Sequence, residues 1–90
     1  MFYNLLMNMS NGFGGYDDYY ITSYRTDSRG EIFARVVHDG LAFMAKNYKS
    51  FDSAHEAAKK IAERDFRARY VRIVDSSKKV YEVLKKEDVK

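Results

Sequence analysis

Cysteine does not occur among these 90 residues. Its absence excludes disulfide scaffolds, thiol nucleophiles and cysteine-ligated zinc or iron–sulfur sites, and agrees with a reducing compartment. Basic side chains are missing from the first part of the chain: no Lys or Arg precedes Arg25, whereas Asp17 and Asp18 lie in that stretch. No apolar run approaches the ~20 residues of a membrane-spanning helix. The opening MFYNLLMNMS has no positive charge ahead of its short apolar segment, so neither a secretory leader nor a membrane span is expected, and a cytoplasmic location is. The glycines at 12, 14 and 15 are not followed by GK[ST], and no strand is expected before them, which excludes a phosphate-cradling loop.

What is present reads as one folded domain. Apolar residues make up 46% and aromatic residues 16%, which argues against disorder. The strongest single signal is FDSAHEAAKKIAERDFRAR at 51–69. Ala54, Ala57, Ala58, Ile61 and Ala62 recur at steps of three and four and form one apolar stripe, while Glu56, Lys59, Lys60, Glu63, Arg64 and Arg67 fall opposite. Asp52 and Ser53 are N-cap residue types, Glu56 follows Ser53 as in a capping box, and Phe51 is placed as a staple. Asp65 projects onto the apolar stripe, so either the helix ends there or an arginine pairs with it.

Around this helix the sequence predicts strands. DYYITSYR at 18–25 is rich in Tyr, Ile and Thr, and EIFARVVH at 31–38 sets Ile32, Ala34 and Val36 against Phe33, Arg35 and Val37. Asp39-Gly40 is a hairpin signal, which makes LAFMAK at 41–46 the expected return strand, with Leu41, Phe43 and Ala45 beneath the helix. YVRIV at 70–74 and VYEVL at 80–84 flank a polar turn. The expectation is a two-layer α+β fold of order β-β-β-α-β-β, an antiparallel sheet with one amphipathic helix packed on one face and no polar side chain in the core. Residues 1–17 are expected to be an apolar, Gly-rich arm that covers a sheet edge or mediates self-association, 18–86 the domain, and 87–90 a frayed tail.

The pattern F-x-S-x-x-E-A, here Phe51, Ser53, Glu56 and Ala57, lies between two hairpin-like segments and resembles short uncharacterised domains of phages and bacteria. It is also similar to the three-strand-plus-helix arm-binding domains of phage integrases, whose sheet lies on DNA. The resemblance covers residues 19–84 and implies a phage-encoded, nucleic-acid-binding module. This chain has two further strands and no catalytic domain, so no functional residue is carried over.

Catalytic constellations are lacking. His38 and His55 could join Asp17, Asp18 or Asp39 as metal ligands, but no tight spacing organises them, and surface histidines are expected. The serines fit turns and caps, and the carboxylates fit turns, caps and helix pairs such as Glu56–Lys60 and Glu63–Arg67. A non-enzymatic protein without cofactor or metal is therefore expected. All 16 basic groups lie from Arg25 onward, and the net charge is +3. The sheet face turned from the helix is expected to carry Tyr20, Tyr24, Phe33 and Tyr70 as stacking rings with Arg35, Lys46 and Arg72 as phosphate contacts, joined by Lys78 and Lys79. Rings interleaved with guanidinium groups suit nucleic acid, RNA or single strands first. The same composition suits a protein partner: a host nuclease, toxin or defence protein that this chain would inhibit, with RNA in the complex, or a second copy in a homodimer.

Overall fold

The structure, a computed structural model, describes residues 1–77 and 79–85. Five antiparallel strands and one main helix form two layers, as the hydrophobic pattern requires. They are β1 (Tyr3–Ser10), β2 (Tyr16–Thr26), β3 (Ile32–Val37), α1 (Phe51–Arg64), β4 (Tyr70–Asp75) and β5 (Val80–Lys85), and the sheet order is β3-β2-β1-β4-β5. The β-β-β-α-β-β order stands, but two of the segments assigned to it change. Residues 3–10 are not part of an arm; they are the central strand, hydrogen-bonded to β2 and β4. Leu5 and Met7 are buried against the helix, whereas Leu6 and Asn8 are covered on the opposite face. A strand buried on both sides shows no apolar alternation. The expected tail at 87–90 lies outside the described residues.

Residues 41–46 are not a return strand. Asp39–Met44 forms a 3-10 helix whose N-cap is His38, with the imidazole Nδ1 accepting a hydrogen bond from Gly40 N at 3.1 Å. That bond replaces the hairpin turn expected at Asp39-Gly40. Ala42 and Ala45, three apart, pack on Tyr20, Leu6, Val37 and Val74, away from the helix, and Phe43 is exposed. The expected placement of Leu41, Phe43 and Ala45 under α1 is thereby corrected. From there the chain passes between the splayed ends of β1 and β2: Lys46 N donates to Ile21 O, and Tyr3 and Tyr48 exchange backbone bonds of 2.9 and 2.8 Å. Tyr48 then joins the helix-side core.

The helix buries the five expected residues, Ala54, Ala57, Ala58, Ile61 and Ala62. Small side chains bring its axis close to the sheet, and Ile61, fully buried, contributes about 1.5–3 kcal/mol. Its cap lies earlier than expected: Ser50, not Asp52 or Ser53, is the N-cap, its Oγ accepting from Ser53 N at 3.2 Å. Phe51 packs edge-on against Tyr3 at 5.9 Å. Glu56 and Lys60 pair at 3.8 Å on the solvated face, but Arg67 lies beyond the helix and pairs with Asp65 instead of Glu63. The helix ends at Arg64 and Asp65 also acquires an arginine, so both outcomes at that position occur together. The core is not free of polar side chains, since Asn8, Asp65 and Asp75 are all buried.

Candidate nucleic-acid interface

A β-bulge decides which β2 side chains share a face. Pairing with β3 runs Ile21↔Val36 and then Ser23↔Arg35, leaving Thr22 as the extra residue. An extra residue reverses the alternation beyond it. Tyr20 therefore lies on the face away from the helix while Tyr24 packs into the helix-side core, although they are four apart. In exchange the bulge turns Ser23 and Arg25 onto the outer face beside Arg35 and Phe33, their cross-strand partners.

The outer face of β2 and β3 carries a compact set of groups. The Arg25 guanidinium lies 5.6 Å from the centroid of the Phe33 ring. Phe66, just past the helix and well exposed, meets Phe33 edge-on at 6.2 Å. Arg25 and Arg35 are diagonal neighbours in the β2–β3 register, a relation that puts Cβ atoms about 7 Å apart. Two shallow depressions adjoin here, both lined by Ser23 and Tyr24: one of about 270 Å³ with Arg25, Phe33, Ala34 and Arg35, the other of about 390 Å³ with Lys46 and Tyr48. No carboxylate among the described residues lines either. The three Lys or Arg ion pairs among the described residues, and the His55–Glu82 contact, leave out Arg25, Arg35 and Lys46.

Strand β3 is a sheet edge, and side chains substitute for its missing neighbour. The Asp65 carboxylate accepts from Ala34 N at 2.9 Å, and Arg67 Nη2 donates to Ala34 O at 2.6 Å. Arg67 also grips Asp65 through Nε at 3.0 Å and Nη2 at 2.8 Å. Burial alone would raise the Asp65 carboxyl, but hydrogen bonds from the Arg67 guanidinium and from the Ala34 and Arg67 amides outweigh it and hold it below the usual carboxylate range. The Asp65 hydrogen bond in turn raises Arg67. This clamp fixes the strand that presents Phe33 and Arg35.

The remaining expected residues separate. Tyr20 is buried beneath Ala42 and Ala45 and is unavailable for stacking. Arg72 shares the outer face but is ion-paired with Asp18, which also accepts from Asn8 Nδ2 at 2.8 Å, so its charge is compensated. Tyr70 is half-buried on β4, level with Asn8 and Lys85. Lys79 lies at the β4–β5 turn with its ammonium 5.5 Å from the Tyr81 ring centroid, on the side of the sheet remote from β3. Its amide donates to Asp75, whose carboxyl is lowered mainly by the Ser77 hydroxyl bond. Lys78 lies outside the described residues. Phe33 and Arg35 remain together of the expected platform, while Lys46, its ammonium 5.5 Å from the Tyr48 ring centroid, lines the adjoining depression and Tyr24 contributes to the walls of both. Arg25 and Phe66 are the additions, and the facing of Arg25 depends on the bulge.

The other titratable groups fall in two separate places. His38 and Asp39 line a separate depression with Asp17 and Asp18, and His55 lies 3.3 Å from Glu82 on the far side. No three such groups among the described residues could hold a metal ion. The depression along the helix flank mixes Glu56 and Glu63 with Lys59, Lys60 and Arg64, which favours no ligand of single charge. A strand does precede the glycines at 12–15, contrary to expectation, but the lysine of a phosphate loop is still lacking. No helix among the described residues is long and apolar enough to cross a membrane. Comparison with family models, curated proteins and solved structures finds no match.

Proposed function

We propose that this protein is a non-enzymatic nucleic-acid-binding domain of the cytoplasm that takes RNA or unpaired strands on the outer face of β2 and β3. The supporting observation is the pair of guanidinium groups beside the Phe33–Phe66 rings, Arg25 and Arg35, neither ion-paired among the described residues, with Lys46 lining the adjoining depression. Guanidinium and ammonium groups neutralise phosphates, and the rings stack on bases of any identity. Unpaired bases expose the faces that such rings need. The phage origin implied by the integrase resemblance is compatible with this reading and contributes no residue to it.

The test is fluorescence anisotropy of a labelled single-stranded RNA at several salt concentrations. Each neutralised phosphate contributes about −0.7 to the slope of log K against log salt. Three contacts give a slope near about −2, and Arg25→Ala or Arg35→Ala should each flatten it by about 0.7. Arg72→Ala should change it less, because Asp18 already compensates that charge. Absent or salt-insensitive binding refutes the reading.

A protein partner is the second reading, whether a host nuclease, toxin or defence protein or a second copy of this chain. It draws on the opposite edge of the sheet, where Val80, Tyr81 and Val83 of β5 are exposed. A partner retained from host lysate after nuclease treatment, together with failure of the salt titration, would favour it.

A further inference from the structure

The β1–β2 hairpin ends in Asn11-Gly12-Phe13-Gly14-Gly15, and its tip is ordered around an almost fully exposed side chain. Asn11 Oδ1 accepts from Phe13 N at 2.8 Å and from Gly15 N at 3.3 Å, while Asn11 N donates to Gly15 O at 3.1 Å. Ser10 Oγ accepts from Gly12 N at 3.2 Å. Gly12 and Gly14 have φ of 81° and 86°, a region other residues rarely enter, and a Cβ built on either would have no neighbour within 4 Å. Both flanks of Phe13 are therefore open, and its side chain is 93% exposed. Three residues on, Tyr16 is also exposed, with the Arg69 guanidinium 3.9 Å from its ring centroid. Asn8 Oδ1 holds that guanidinium at 3.2 Å.

We infer that this hairpin tip is a second nucleic-acid contact, a stacking site for an unpaired base on Phe13; the inference rests on the nucleic-acid reading above. The surroundings favour a base over a phosphate. Asp18 compensates Arg72, and the Asp17 carboxylate, bonded to the Asn11 amide, adds a negative charge at the base of the loop, so a phosphate gains little net attraction. They also favour a base over a protein pocket. The rim is bare backbone and one hydroxyl, from Gly12, Gly14 and Ser10, groups that hydrogen-bond base edges and would be stranded in an apolar socket; the Asn11 amide is already engaged, its Nδ2 donating to Asp17 at 3.0 Å. From Tyr16 to Arg25 the distance along β2 is about 30 Å at ~3.3 Å per residue. A single strand of ~16 nucleotides, the upper end of common site sizes, would span both contacts.

The chain has no tryptophan, so Phe13→Trp introduces a single indole whose fluorescence reads this site alone. Titration with a ~16-nucleotide single-stranded RNA should quench it in step with the anisotropy of the same complex. Inorganic polyphosphate, which has charge but no bases, should compete at Arg25 and Arg35 without quenching. Phe13→Ala should weaken RNA binding by about five- to a hundredfold with the salt slope unchanged, since no counterion contact is lost. Binding by anisotropy with a silent indole and a neutral Phe13→Ala overturns this inference and leaves the β2–β3 site standing. Quenching by polyphosphate equal to that by RNA also overturns it. Absence of RNA binding to the unmodified protein overturns both.

Discussion

Removing the Asp65 carboxylate gives the sharpest test of how the candidate surface is held. Asp65→Ala strips a buried acceptor of bonds from Ala34 N, Arg67 N and the Arg67 guanidinium, and strands that guanidinium beside Ala34 O. Loss of one partner of a buried, hydrogen-bonded pair costs about 3–5 kcal/mol, and the lower end applies here because the Arg67 side chain left behind is 32% exposed. A 90-residue domain has about 5–13 kcal/mol of stability in all. The substitution should therefore remove between a quarter and most of it, read as a lower urea midpoint by far-UV circular dichroism with an unchanged m-value. Arg67→Met added to Asp65→Ala should cost less than the sum of the two, because the uncompensated charge goes with the arginine. The pH dependence has a definite sign. A carboxyl held below its ordinary value of 3.8 contributes stability that is present above that value and is lost as pH falls through its folded value. Asp65→Asn lacks this component, whereas Asp75, also lowered, acts alike in both proteins, so the difference between the two pH profiles isolates Asp65. A midpoint for Asp65→Ala equivalent to less than about 1 kcal/mol of loss at pH 7, or parallel acid profiles for the wild type and Asp65→Asn, would refute the clamp.

Two further perturbations test the packing. The Tyr48 hydroxyl is buried without a hydrogen-bond partner among the described residues, and burial, aided by Tyr24, pushes its pKa up to about 12. Tyr48→Phe should stabilise the domain by about 1 kcal/mol and abolish the latest phase of tyrosine ionisation seen by ultraviolet absorbance. In the unmodified protein that raised value means stability declines as pH climbs from the ordinary tyrosine value of 10.0 toward about 12. Ser50→Ala removes the true N-cap and should cost about 0.5–2 kcal/mol in the urea midpoint, whereas Asp52→Ala, outside the cap, should cost less.

The helix stripe was legible because five small or branched residues repeat at helical spacing and nothing nearby competes. The strands 16–26, 32–37, 70–75 and 80–85 were legible for the same reason, with shifts at their ends. Residues 3–10 were not, because Leu5, Leu6 and Met7 are buried on alternate sides of one sheet and the run shows no period of two. The readable clue was Asn11-Gly12, the dipeptide that opens the actual hairpin loop, whereas the similar Asp39-Gly40 was diverted by the His38 imidazole. The outer surface was half legible. Phe33, Arg35 and Arg72 do share a face, but the Thr22 bulge moved Tyr24 off it and brought Arg25 on, and the 3-10 helix hid Tyr20. Single-residue insertions in a ladder and contacts between segments distant in the chain have no local signature in composition or spacing.

The central position of β1 constrains how the chain acquires its shape during synthesis. Of the five strands of this sheet it comes first in chain order, and it zips onto its hairpin neighbour over a short loop, but its other edge pairs Tyr3 with Asp75 and Asn8 with Tyr70. Until the ribosome has delivered nearly the whole domain, a flat apolar strand stands with one row of amides and carbonyls unmatched. Slow, late closure of that seam follows from loop entropy alone, and any chain cut short after the helix would keep the sticky edge permanently.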